Sequence, residues 1–285
     1  MIKIAVIIPF YKGEHINDLL KSLAQQTTSN FNTYLFNDNS PYQIDNIVRE
    51  YSSILNLNYH KFESNLGCYS LTKQWDRCIR KTDEDYFILP GDDDYFASIC
   101  IESAFHVIKK YEEDKELILH FDSCLVDSYN NILRFNPVNP CIESREAFLY
   151  HRLIGQRHSY IGDFVISRLL YEKNDGFFEL PLAWGSDVLS IYRFAYNKPI
   201  IKTKGLYYFR YGNNSISSSS DNELEKLKAT IKKYRWLRNE INNNNTNKYF
   251  KLLENKVERL LIHKIKLANP FSIVRLRKKL LSQEI

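Results

Sequence analysis

Nothing in this 285-residue chain approaches the roughly 20 consecutive apolar residues that a membrane-spanning helix needs. Its five cysteines, Cys68, Cys78, Cys100, Cys124 and Cys141, are odd in number, widely spaced and without a C-x-x-C pair. That pattern argues against a disulfide framework and a cysteine-based zinc site, and it fits a reducing cytoplasm. The seven histidines have no H-x-x-x-H spacing, and His120 and His158 read as structural. No G-x-S-x-G, P-loop or G-x-G-x-x-G motif occurs. At the start, Met1-Ile2-Lys3-Ile4 runs directly into Ala5-Val6-Ile7-Ile8 without a small-residue cleavage site, so the expectation is a core strand rather than a signal peptide. No internal repeat is visible.

What is present is an ordinary apolar content, enough for one large domain or two modest ones, with many aromatics: 20 Tyr and 17 Phe. The formal net charge of +5 is uneven. Between Lys248 and Lys279 ten Lys or Arg face only Glu254 and Glu258, so the basic character belongs to the C-terminal tail. Leu260, Leu261, Ile265, Leu267, Phe271, Ile273, Val274 and Leu276 add apolar surface there. Such a segment suits peripheral contact with an anionic membrane, or packing against the main domain with a solvated basic face. No nucleic-acid motif accompanies it.

Strand and helix signals alternate over the first 130 residues. The β-branched run Ile2 to Ile8 predicts a strand buried on both faces. Ile16, Leu19, Leu20 and Leu23 mark one helical face. Strands are expected at Tyr34-Leu35-Phe36, Asn58 to Phe62, Asp85 to Leu89 and Leu117 to Phe121. Helices are expected around Ile44 to Tyr51, Leu71 to Cys78 with Ser70 as N-cap, and from a Ser98 cap to Tyr111. The stretch from Cys141 to Tyr211 is less regular, with a helix expected from Ser186 or Asp187 through Tyr192 and a strand from Ile200 to Tyr208. From Asn222 the pattern is helical, interrupted at Asn242-Asn243-Asn244-Asn245 and Pro270.

A β-α-β-α order implies an α/β fold, a mostly parallel sheet flanked by helices, with ligands bound beyond the carboxyl ends of its strands. Those ends carry Pro9-Phe10-Tyr11, Asn37-Asp38-Asn39 and Asp92-Asp93-Asp94. Three adjacent carboxylates repel unless a cation or water absorbs their charge. A hard divalent cation takes oxygen ligands and often shares them with substrate phosphates.

In order along the chain, Val6-Ile7-Ile8-Pro9-Phe10-Tyr11, Asn37-Asp38-Asn39-Ser40, Asn65-Leu66-Gly67, Gly91-Asp92-Asp93-Asp94 and Gly185-Ser186-Asp187 resemble the motifs of family 2 glycosyltransferases of the GT-A fold. Tyr208-Phe209-Arg210 through Ser215-Ile216-Ser217 resembles the family's phosphate-contacting segment, so the likeness covers about residues 1 to 217. It implies a nucleotide-sugar-binding and catalytic domain over 1–220, followed by a basic helical extension over 221–285.

The resemblance also implies roles. Asp38 would accept a hydrogen bond from a uracil ring, with Pro9 and Tyr11 lining the base pocket; the alternative is an Asx turn closing the strand. Asp94 would ligate Mn²⁺ or Mg²⁺, and Asp92 would reach the ribose or a metal-bound water, with Asp93-Asp94 as the other possible working pair. Arg210 and Lys73 would contact the diphosphate. Asp187 would be the general base of an inverting transfer, with a plain helix cap as its alternative. The implied activity is transfer of a sugar from a nucleotide diphosphate, UDP-linked, to a lipid-linked glycan in bacterial O-antigen or capsule assembly, on the inner face of the plasma membrane. A nucleotidyltransferase is the rival enzyme, but the Pro9–Glu14 segment is a poor Gly-rich phosphate loop. A non-catalytic glycan- or membrane-associated scaffold is the other rival.

Overall fold

The computed structural model describes residues 2–212 and 222–243, together with Leu252 and Arg259. The Ser215-Ile216-Ser217 segment, and the basic tail apart from Leu252 and Arg259, therefore lie outside the described residues. The elements run β1 (Ile4–Phe10), α1 (Ile16–Ala24), β2 (Asn32–Asn37), α2 (Asp45–Ser52), β3 (Leu57–Lys61), α3 (Leu71–Ile79), β4 (Tyr86–Ile88), β5 (Tyr95–Phe96), α4 (Cys100–Lys110) and β6 (Ile118–Val126). They continue with β7 (Ile132–Phe135), β8 (Ile142–Glu143), α5 (Arg145–Leu153), β9 (Phe164–Ser167), α6 (Arg168–Lys173), α7 (Ser186–Phe194), β10 (Ile200–Arg210) and α8 (Glu223–Asn243).

The strands form one sheet in the order β3-β2-β1-β4-β9-β6-β10-β5, with β7 paired to β6 and β8 to β10. The first half, β3-β2-β1-β4, is parallel, as is the β6–β10 pair. The short strand β9 enters between β4 and β6 antiparallel to both. Two reversals restore the original direction, so β1, β4, β6 and β10 all end along one edge.

Side chains of β1 alternate across the sheet. Ile4, Val6 and Ile8 pack with Leu19, Leu20 and Leu23 of α1 and Ile101 and Ala104 of α4. Ala5 and Ile7 face the other way, into a core shared with Trp75 of α3, Leu189 of α7 and Leu237 of α8. Both faces of β1 are covered, which explains its unbroken apolar run. Helix α8 is part of this second layer: Trp236 packs edge-on against Phe178 at 5.1 Å and Tyr192 at 6.0 Å.

Local signals held at some ends and not at others. Ser70 caps α3, accepting a hydrogen bond from Lys73 N at 3.4 Å. Ser98 does not cap α4; the preceding residue is Ile99, and the Ser98 carbonyl instead accepts from Thr27 N. Helix α7 begins after Gly185, whose φ of 87° suits a residue without Cβ, so neither Ser186 nor Asp187 is its cap. Among the described residues no helix is long and apolar enough to cross a membrane.

Candidate active site

The loop after β4 carries the three aspartates in three different environments. Asp92 Oδ2 accepts hydrogen bonds from the backbone N–H of Tyr11 at 2.8 Å and Lys12 at 2.6 Å, tying the end of β1 to the loop. Asp94 is 3% exposed. Its Oδ1 accepts from Arg210 N at 2.8 Å, and its Oδ2 accepts from Gly91 N at 3.2 Å and from the Tyr207 hydroxyl. Asp93 is different: no other described residue hydrogen-bonds its carboxylate, and its side chain borders two adjoining cavities. Burial, then the charge of Asp93, pushes the Asp92 carboxyl up to about 7. Burial likewise raises Asp93 and Asp94 above the ordinary carboxylate range.

Arg210, at the end of β10, is 1% exposed and spends its guanidinium on the protein. Nε donates to the Asp93 carbonyl at 2.7 Å, Nη1 to the Asp127 carbonyl at 3.0 Å and Nη2 to Asp18 Oδ2 at 2.8 Å. Arg210 thus holds the aspartate loop in place. Close packing behind it depends on Gly162, where a Cβ would lie 2.1 Å from the Tyr207 hydroxyl and 2.8 Å from Pro90 Cα.

Along the same edge, Asp38 is 3% exposed and also engaged. It accepts from Leu66 N at 2.9 Å, Gly67 N at 2.8 Å and Arg77 Nη2 at 2.5 Å, which ties down the Asn65-Leu66-Gly67 loop. The Asx turn here belongs to Asn37, whose Oδ1 accepts from Ser40 N at 2.7 Å. Pro9 is half-buried and Tyr11 exposed at the rim. Lys73 lies outside the cavities, exposed on α3 and paired with Glu179 at 3.5 Å.

The larger cavity, about 670 Å³, brings Asp93 and Arg210 together with Trp75, Tyr160, Trp184 and Asp187. Asp187 sits in the first turn of α7 and makes no hydrogen bond or ion pair with another described residue. The segment leading to it is strained: Leu182 and Ala183 hold φ of 56° and 52°. Non-glycine residues in this left-handed region cost free energy, and such strain gathers at functional sites. Lys226 of α8 lies 4.9 Å over the Trp184 ring. A second cavity of about 410 Å³ shares Lys12, Asp93 and Arg210 with the first.

The structure thus brings Asp92, Asp93, Asp94, Arg210 and Asp187 to one region, and leaves Lys73 away from it. Sequence reasoning missed Arg77, Tyr207 and Gly162, whose roles depend on partners about 40 to 110 residues distant in the chain. His120 is buried, stacked on Phe164 at 4.1 Å and 3.2 Å from Asp163. His158 borders the larger cavity, and burial lowers its pKa.

The family model described as Glycosyl transferase family 2 matches residues 5–159. No curated protein sequence gives a significant match. Among solved structures, S. aureus TarS 1-349 in complex with UDP-GlcNAc is similar at 18% identity and a TM-score of 0.62, over 83% of this chain and 66% of that one. TarS 1-349 with UDP is similar at 19% identity and a TM-score of 0.55, over 81% and 65%. A structure of S. aureus TarS matches at 18% identity and a TM-score of 0.57, over 81% of this chain but 39% of that chain. The present chain therefore spans less than two thirds of the TarS structures it matches, and at these identities the likeness is one of fold.

Proposed function

The chain belongs to glycosyl transferase family 2 and has the GT-A fold, and from that premise we propose that it is an inverting, metal-dependent transferase using a UDP-sugar. Asp93 and Asp187 carry this reading. They are far apart in the chain, border one cavity, and have carboxylates that no other described residue binds.

Asp187 takes the proton from an acceptor hydroxyl. The resulting oxygen attacks the anomeric carbon from the face opposite the diphosphate. The bond from that carbon to the β-phosphate oxygen breaks, and its electron pair leaves with UDP. Negative charge grows on the leaving group, so groups that stabilise that charge accelerate the step. Lys12, at the end of β1, borders both cavities beside Asp93 and is placed to do so.

Among the described residues no group of three His, Cys, Asp or Glu could hold a metal unaided. A single available carboxylate nevertheless fits Mg²⁺ or Mn²⁺, which can be held by one or two carboxylates plus substrate phosphates. Asp93 is the ligand this arrangement favours, with Asp92 behind it; Asp94 would first have to give up three protein hydrogen bonds. Such a cation would offset charge on the departing diphosphate. By the same reasoning Asp38 supports the base pocket through the Asn65–Gly67 loop, with Pro9 and Tyr11 at its edge. The acceptor we propose is a hydroxyl of a lipid-linked glycan in bacterial surface-polysaccharide assembly, O-antigen or capsule, with the basic tail serving peripheral membrane contact.

Calorimetry and UDP release over a panel of UDP-sugars, with and without Mn²⁺ or Mg²⁺, test this reading. UDP at about 100 times its Kd should add about 2.7 kcal/mol of stability. Failure of every UDP-sugar to bind or turn over would overturn it, and equal turnover in a chelator would remove the metal.

A further inference from the structure

We propose that the β6–β7 hairpin and the segment after it dock on an anionic lipid surface, with Tyr129, Ile132, Phe135 and Val138 entering its interfacial layer. This goes beyond the transferase reading, and it concerns a segment of the chain other than the basic tail.

Residues 128–142 reverse the usual arrangement of a folded chain. Asn136 and Asn139 are each 7% exposed, whereas Phe135 is 61% and Val138 70% exposed. The two asparagines are bonded into β6. Asn136 donates from N to the Ser123 carbonyl and from Nδ2 to Ser123 Oγ, both at 3.0 Å. Asn139 donates from N to Asp122 Oδ1 and from Nδ2 to the Phe121 carbonyl, both at 2.9 Å. At the tip, Asp127 Oδ1 accepts from Tyr129 N at 2.8 Å and Asn131 N at 2.9 Å, in a turn that leaves Tyr129 83% exposed. Polar side chains thus fix the backbone, and the apolar ones are left in solvent. Clustered exposed apolar side chains mark an interaction surface.

Geometry and charge select the kind of partner. Successive side chains of a strand lie on opposite faces, and all four residues of β7 are exposed. Both faces of β7 are therefore uncovered, and β6 is its one strand neighbour among the described residues. A strand added to the free edge by a second copy would satisfy backbone groups but leave those side chains in water. The interfacial layer of a bilayer covers apolar side chains on every side, and Tyr is enriched at that depth. Ser128 to Ile142 contains no Asp or Glu, and its one charged residue is Arg134. From Glu143 to Tyr160 the two acids are already paired, Glu143 with Arg157 at 2.6 Å and Glu146 with Arg145 at 2.9 Å, which leaves Arg152 in excess. Excess positive charge beside exposed apolar groups suits an anionic lipid surface. Asp127, Ser128 and Leu133 also border the second cavity, so docking here brings the mouth of that cavity to the lipid.

Co-sedimentation of the full chain with vesicles tests this, using phosphatidylcholine alone and phosphatidylcholine mixed with phosphatidylglycerol. The unaltered protein should bind the mixed vesicles more tightly. Phe135→Ser and Val138→Ser should each weaken binding about ten-fold, as loss of one buried apolar side chain implies. Arg134→Gln should weaken it about five-fold, on the mixed vesicles only. Melting curves of these variants should match that of the unaltered protein, because the side chains are exposed in the free chain. Phe135→Trp should keep binding and add emission that moves to shorter wavelength on vesicles, which contact through the tail alone would not produce. Undiminished binding by the Ser variants, or added emission that stays put, would overturn the proposal. So would a lower melting temperature in the Ser variants, because this chain would then cover the segment itself. Loss of a dimer in light scattering would make a second copy the partner instead, and absence of vesicle binding by the unaltered protein would leave no lipid contact to explain. UDP affinity, measured without vesicles, should be the same in every variant, so the donor reading stands or falls separately.

Discussion

Two walls face each other across the larger cavity, and they differ in what they keep for themselves. On the strand-end wall, Asp94 and Arg210 are bonded to the protein, as are Asp92 and Asp38, which lie along the same strand ends outside the cavity lining. On the opposite wall the backbone is strained at Leu182 and Ala183, Asp187 has no partner among the described residues, and Arg152 Nε is unpaired. The contrast shows that an acidic motif is not the same thing as available ligand atoms. Most of the motif residues build a rigid edge. The atoms left for chemistry are at Asp93, within the motif, and in the irregular segment across from it.

The largest expected effect breaks the second wall without disturbing the first. Asp187→Asn keeps the shape of the side chain and removes the base. Transfer should slow by about 10² to 10⁴-fold, the usual worth of a general base. The melting temperature should stay put, since no described residue bonds to Asp187. A variant that melts early would mean that Asp187 belongs to the scaffold after all.

The strand-end wall should respond the other way. Asp94→Ala leaves the Tyr207 hydroxyl and Arg210 N without their buried partner, and Arg210→Ala removes the guanidinium hydrogen bonds to the Asp93 and Asp127 carbonyls and to Asp18. Breaking a buried charged network by removing one partner costs about 3–5 kcal/mol. Urea titrations should show each loss as a lower midpoint at an unchanged slope. If Asp94→Ala folds as stably as the unaltered protein and loses only turnover, the division between the two walls fails.

How far the chain announces this arrangement differs along its length. Residues 2 to 126 are largely legible because most elements satisfy a local rule: β1 is apolar throughout since both its faces are covered, and α3 starts where Ser70 can cap it; the two-residue β5 and the start of α4 were not. That Asp38 and the Asp92–Asp94 loop lie along one edge also follows from strand order, because β2, β1 and β4 are parallel, whereas Asp187, in the first turn of α7, was expected near them only through the family resemblance. Strand β9 was not legible, because four residues, Phe164 to Ser167, carry too little pattern to show that they pair antiparallel with both β4 and β6. Nor could sequence tell Asp93 from its neighbours. The three are chemically identical, and they differ only through donors supplied by Tyr11, Lys12, Tyr207 and Arg210. Gly185 shows the same limit. Its role as the left-handed entry to α7 appears only with its φ of 87°, which displaced the cap expected at Ser186 or Asp187.

The smallest expected effect sharpens the boundary of the strand-end wall. Lys73 sits on α3, one turn before the Arg77 that grips Asp38, so position along the chain makes it a plausible donor contact. Its geometry points elsewhere: the side chain is exposed and its ammonium faces Glu179 at 3.5 Å, outside both cavities. Exposed ion pairs contribute little, because water and salt screen them and ordering two long side chains costs entropy. Lys73→Ala should therefore shift stability by no more than about 0.5 kcal/mol. UDP affinity should not change, and neither should its dependence on ionic strength. A clear loss of UDP affinity that steepens at low salt would extend the donor groove across α3. The phosphate contacts would then include an exposed lysine, and Asp93 would no longer be the strand-end group that stands out as available for ligands.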